Sequence, residues 1–159
     1  MNRRRVLAVV MMAALALSPL VSVPRAGAEP KSLKEQLVGT WTFVSSVNTR
    51  KDGSKFDSWG ANPAGIFMFD PDGHYAQVIM RSEVGVFGPK TVFSFGTYSV
   101  DEKSRTLVTH IQGSSLARLN GTEQRRIILT LTGDELRYVN TSTASGNTVE
   151  ALWKRSKHP

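Results

Sequence analysis

From residue 39 to residue 155 the chain repeats one pattern, a strand-length stretch followed by a turn-forming segment, and it nowhere offers a second helix long enough for a crossover. A parallel connection needs a dozen or more residues, usually a helix, so this spacing favours antiparallel pairing throughout. The first stretch, Gly39-Thr40-Trp41-Thr42-Phe43-Val44-Ser45-Ser46-Val47-Asn48, reads as a strand with Trp41, Phe43, Ser45 and Val47 on one face. Trp41 is its expected core anchor. Ile66-Phe67-Met68-Phe69 and 74–80 flank the turn Asp70-Pro71-Asp72-Gly73, whose residue types suit a hairpin. Further strands are expected at 92–100, 106–112, 122–131, 135–140 and 148–155, making eight. Hairpin-like links favour an up-and-down barrel over a sandwich, which needs long Greek-key crossings. Closure would also remove free sheet edges, an advantage in a chain with no cysteine and hence no disulfide. Ahead of the first strand, 33–38 gives about one and a half helical turns with Leu33, Leu37 and Val38 on one side, a short helix able to plug one end.

Residues 1–28 read as a cleaved signal peptide rather than part of this domain. Arg3-Arg4-Arg5 form a cationic start, 6–17 an uncharged apolar run, and Ala26-Gly27-Ala28 a small-x-small cleavage site. The run is too short to span a bilayer comfortably, and Pro19 and Pro24 break any helical extension. The expected product is residues 29–159, a single periplasmic or secreted domain without a membrane span, and a monomer. The leader carries four arginines and no acid, so its removal takes the net charge from +7 to +3. The remaining cations are dispersed apart from Arg125-Arg126 and Lys154-Arg155-Ser156-Lys157, which argues against a nucleic-acid partner. Sec and twin-arginine export both stay open.

Several motifs together resemble the bacterial and fungal lipocalin-like domain family. They are Leu37-Val38-Gly39-Thr40-Trp41, Asn62-Pro63-Ala64-Gly65-Ile66, Phe69-Asp70-Pro71-Asp72-Gly73-His74-Tyr75, Met80-Arg81, Phe95-Gly96-Thr97-Tyr98-Ser99-Val100-Asp101, Asn120-Gly121-Thr122-Glu123-Gln124-Arg125-Arg126 and Trp153-Lys154-Arg155. The resemblance extends over about 33–155. It implies an all-β, eight-stranded antiparallel up-and-down barrel of the calycin superfamily with a short N-terminal helix. It also implies a structural signature of Gly39, Trp41 and Arg155, in which the last-strand arginine lies across the indole at the closed end. Related barrels include carriers and enzymes that isomerise or cyclise small metabolites.

An interior of this size is filled by side chains or holds one small ligand. The candidate ligand-binding residues are Tyr75, Gln77, Arg81, Tyr98, His110 and Arg126. Alternation puts Tyr75, Gln77, Ile79 and Arg81 on one face and His74, Ala76, Val78 and Met80 on the other, without deciding which looks inward. Arg125 and Arg126 point to opposite faces; one could meet an anionic ligand, or either could pair with Glu123 or Glu150. The loops 54–64, 82–90 and 113–121 are candidate gates. His74, His110 and His158 have no zinc-like spacing, and no nucleophile-elbow, phosphate-loop or dinucleotide fingerprint occurs, so no catalytic residue, metal or cofactor is assigned. The leading expectation is an exported protein that binds a small, mostly apolar or amphipathic molecule in its barrel. The alternatives are an isomerase or cyclase using the same cavity, with His110, Tyr75, Tyr98 or an arginine as acid-base group, and an envelope interaction module with a filled barrel.

Overall fold

The computed structural model describes residues 30–81, 91–141, 143 and 145–157. The signal peptide assigned to 1–28, the candidate gate 82–90 and His158 lie outside the described residues.

A short helix, α1 (Leu33–Leu37), leads into β1 (Gly39–Thr49) and the two-residue β2 (Lys55–Phe56). There follow β3 (Ala64–Phe69), β4 (His74–Met80), β5 (Thr91–Asp101), β6 (Thr106–Ser114), a 3-10 turn at Ala117–Leu119, β7 (Glu123–Leu131), β8 (Glu135–Asn140) and β9 (Thr148–Arg155). From β3 to β9 each strand pairs antiparallel with the next, and β1 pairs with both β3 and β9. The result is a closed eight-strand meander. β2 adds only a flap on the far end of β1, through Asn48 opposite Phe56 and Thr49 opposite Lys55.

One end is sealed. Leu37 is fully buried, and α1 is capped by a reciprocal Ser32–Glu35 box. Glu102, from the β5–β6 turn, accepts the backbone N–H groups of Leu33 and Lys34 at 3.0 and 3.2 Å, tying the helix start to the barrel. Trp41 is wholly buried, with its indole N–H donated to the Leu37 carbonyl at 2.9 Å. Arg155, opposite Trp41 in the β1–β9 register, lies 4.1 Å above its ring. Its Nε, Nη1 and Nη2 donate to the carbonyls of Gly133, Val38 and Gln36 at 2.6, 2.9 and 2.6 Å. Gly39 makes room: its φ is +127°, and a Cβ there would stand 2.7 Å from Arg155 Nη1. Above this clasp Phe43, Phe67, Phe69, Tyr75, Tyr98 and Trp153 fill the closed half with edge-on and tilted contacts, such as Phe43 against Trp153 at 4.9 Å and Phe69 against Tyr98 at 5.0 Å.

The first strand departs from simple alternation. The β1–β9 register shifts between Phe43 and Ser45, so beyond that point the other set of residues turns inward. Ser46 and Asn48 are buried, while Ser45 is exposed and Val47 is 44% exposed. The expected face Trp41, Phe43, Ser45, Val47 is thus correct only for its first two members, and two polar side chains enter the barrel instead.

Candidate functional site

The bulge prepares a change of character halfway up the barrel. Toward the closed end the inward positions are aromatic; at the next level they are polar. Asn48, Val149, Asn140 and Arg126 are consecutive partners across β1, β9, β8 and β7. Gln77 and Ser94 are partners across β4 and β5. Above them a cavity of about 440 Å³ opens toward the end opposite the clasp. Its size falls within the range of about 300–1,000 Å³ usual for small-molecule sites. The upper wall is mostly apolar, with Phe56, Trp59, Ile79, Val92, Ile111 and Leu119, and the polar level below includes Ser46, Asn48, Gln77, Gln124, Arg126 and Asn140.

Arg126 is the central polar feature, 3% exposed on an inward position of β7. Its Nη1 donates to Thr109 Oγ1 at 2.6 Å and its Nη2 to Gln124 Oε1 at 2.8 Å. Gln124 Oε1 also accepts from Asn140 Nδ2 at 3.1 Å, which fixes the orientation of that amide. The guanidinium carbon stands 5.5 Å from the Tyr138 ring centre and 5.7 Å from that of Phe67. Arg126 Nε, Ser46 Oγ and Asn48 Nδ2 are buried without a hydrogen-bond partner among the described residues. Among the described residues lining the cavity there is no Asp, Glu, His or Lys; Arg126 within and Arg118 at the rim are its charged groups.

Of the six residues proposed from sequence, the cavity wall holds Gln77 and Arg126. The face containing Tyr75, Gln77 and Ile79 is the inward one on β4. Tyr75 nevertheless sits in the aromatic half, its ring 5.9 Å from that of Phe67 and its hydroxyl buried without a partner, and it is not part of the cavity wall. Tyr98 belongs to the closed end, where its hydroxyl donates to the Asp70 carbonyl at 2.7 Å. Burial, with the negative charge of Asp70 adding to it, pushes the Tyr98 phenol up to about 12. His110 faces outward: Leu107, Thr109 and Ile111 alternate as buried positions along β6, and His110 between the last two is exposed. Arg81 reaches sideways, with Nη2 donating to the Ser58 carbonyl at 2.7 Å, so it holds the 54–64 loop rather than the cavity wall. That loop carries Trp59, which packs edge-on against Phe43 at 6.2 Å and forms part of the cavity wall. The two adjacent arginines separate as alternation requires: Arg125 is exposed and 3.9 Å from Glu123, whereas Arg126 has no carboxylate partner among the described residues.

Sequence reasoning missed Ser46, Asn48, Ser94, Gln124 and Asn140 in the cavity wall, and Thr143, Ser145 and Asn147 at its mouth. Simple alternation within β7 does link Gln124 to Arg126, and that signal was available. The β1 residues were hidden by the bulge.

A closed eight-strand antiparallel meander, sealed at one end by a short helix and hollow at the other, is a barrel of the lipocalin type. Among solved structures, the chain is similar to bovine odorant-binding protein in complex with a selenium-containing odorant, at 17% identity and a TM-score of 0.47, over 82% of this chain and 77% of that one. It is also similar to the siderocalin Ex-FABP, described as functioning through dual ligand specificities, at 10% identity and a TM-score of 0.40, over 78% and 76% of the two chains. No family model matches the sequence, and no curated protein matches it significantly. The fold assignment therefore rests on strand order and closure.

Proposed function

We propose that this protein is an exported lipocalin-like carrier, of the bacterial and fungal kind, that binds one small, largely apolar or amphipathic molecule in its barrel as a monomer. The observation that carries the reading is the cavity of about 440 Å³, with an apolar upper wall above a polar level. The filled-barrel alternative required an interior with no ligand-sized space, and that ground is gone. The isomerase or cyclase alternative relied on His110, Tyr75, Tyr98 or an arginine as acid-base group in the cavity; His110 faces outward, Tyr75 and Tyr98 lie outside the cavity wall, and Arg126, which lines it, is a guanidinium that stays protonated. Among the described helices none is long and apolar enough to cross a membrane.

Titration with a neutral fluorescent naphthylamine tests the binding reading. Saturable one-to-one binding with a change in tryptophan emission is expected, and Trp59→Phe should remove much of that change while binding persists, since Trp59 lines the cavity. No saturable binding would refute the carrier function. Export is tested by expressing the full chain in a bacterial host: the periplasmic product should begin at Glu29, and a product retaining residues 1–28 in the cytoplasm would refute it.

A further inference from the structure

We infer that the molecule held in this cavity carries a carboxylate, which docks on Arg126 while its apolar body extends toward the mouth; this rests on the carrier reading above. The first ground is the state of Arg126. A guanidinium has five N–H donors, and Arg126 uses two of them on neutral oxygens, those of Thr109 and Gln124. Its Nε is buried without a partner among the described residues. A cation 3% exposed and facing only neutral acceptors is costly to keep. The nearby acids do not relieve it: Glu123 is beside Arg125 at 3.9 Å, and Glu150 beside Arg137 at 3.1 Å, both well exposed.

The second ground is the rest of the wall. Among the described residues its charged members are Arg126 and Arg118, both positive, and none is acidic. Asn48, a partner of Val149 as Asn140 is, brings a buried and unpaired amide donor to the same level as Arg126. A carboxylate has the acceptor oxygens for such a group of donors and can take a guanidinium in bidentate fashion. The Thr109 and Gln124 bonds orient the guanidinium in advance, which reduces the cost of ordering it when a ligand arrives. The apolar upper wall then receives a hydrocarbon body.

The test is calorimetric titration of the folded protein with dodecanoate and, separately, dodecanol, which share a chain and differ in the head group. Dodecanoate should bind roughly ten- to a hundredfold tighter, the worth of charge-assisted hydrogen bonds in a desolvated site. In Arg126→Gln that preference should fall to near parity, while in Arg118→Gln most of it should remain. Thermal melts of both variants establish that they are folded. If Arg126→Gln does not fold, the ratio measured in the unaltered protein still decides whether the ligand class is anionic, and Arg126→Lys then replaces the glutamine variant, with the preference expected to shrink but not vanish. Equal affinity for the two compounds, or failure of dodecanoate to displace the neutral naphthylamine, overturns the anionic inference and leaves the carrier reading standing. Failure of all three compounds to bind overturns the carrier reading itself. A preference that survives Arg126→Gln and disappears in Arg118→Gln overturns the assignment to Arg126.

Discussion

Each half of the barrel holds an arginine against aromatic rings, and the two are treated oppositely. Arg155, at the closed end, gives all three of its nitrogens to backbone carbonyls and lies 4.1 Å over Trp41. Arg126, at the base of the cavity, meets two side-chain oxygens and leaves Nε without a partner among the described residues. At the clasp the helix start, the indole N–H of Trp41 and the Tyr98 hydroxyl all have partners, while in the aromatic fill above it the Tyr75 hydroxyl and the Trp153 indole N–H are buried without one. The open half differs in that its unpartnered donors include one on a charged group, Arg126. The difference teaches that the same residue type is saturated by the fold in one setting and left with a spare donor in the other, according to whether the protein supplies all its acceptors.

Four measurements would break or sharpen that contrast. Trp41→Ala should have the largest effect, a loss of about 3–5 kcal/mol in denaturant unfolding, because it empties a fully buried site and removes the surface under Arg155. A loss below about 1 kcal/mol would mean that the closed end is not the stabilising half. Arg155→Met should cost about 2 kcal/mol, since three carbonyls lose a charged donor but lie close enough to solvent to be partly rehydrated. Arg126→Met should by contrast leave the melting temperature of the ligand-free protein unchanged or slightly higher, because removing an unpaired buried charge offsets the lost hydrogen bonds. A fall as large as that of Arg155→Met would erase the distinction between the two arginines.

The smallest effect concerns pH. The folded-state value of Tyr98 is raised to about 12 from the ordinary 10.0, so its contribution to stability is fully present below the ordinary value and is lost as pH rises through the folded one. Absorbance titration should show phenol ionisation extending above the ordinary range, and Tyr98→Phe should remove the part that belongs to Tyr98 while costing about 1 kcal/mol for the bond to Asp70. At the acid side, Asp70 is held below the ordinary carboxylate range, first by the backbone N–H of His74 and also by the His74 side chain. Its stabilising contribution is present above the ordinary value and fades as pH falls through the depressed one.

The eight strands, their antiparallel order and the hairpin at Asp70-Pro71-Asp72-Gly73 were legible because alternation and turn chemistry are local properties. Assigning the cavity wall was harder. Of the candidate ligand-binding residues, Arg126 and Gln77 lie in the cavity wall, but nothing local separates Tyr75 and Tyr98, which fill the aromatic half, from a tyrosine that would face a ligand. His110 was attractive as a chemical group, yet its strand neighbours Thr109 and Ile111 are the ones that turn inward. Arg81 lies on the inward-facing set of β4, but beyond the end of the strand its side chain turns to the Ser58 carbonyl.

The sequence by itself determined the all-β meander, through a period of two and connections too short for parallel crossovers, and it contained the glycine, tryptophan and arginine that meet at the closed end. Tertiary structure decided where the barrel stops being core and becomes cavity. That boundary depends on a one-residue bulge in β1, which reverses the facing of Ser46 and Asn48, and on closure of β1 against β9, which brings Asn48 into line with Asn140 and Arg126. A bulge carries no obligatory residue signature, and closure joins the first strand to the last, Trp41 to Arg155.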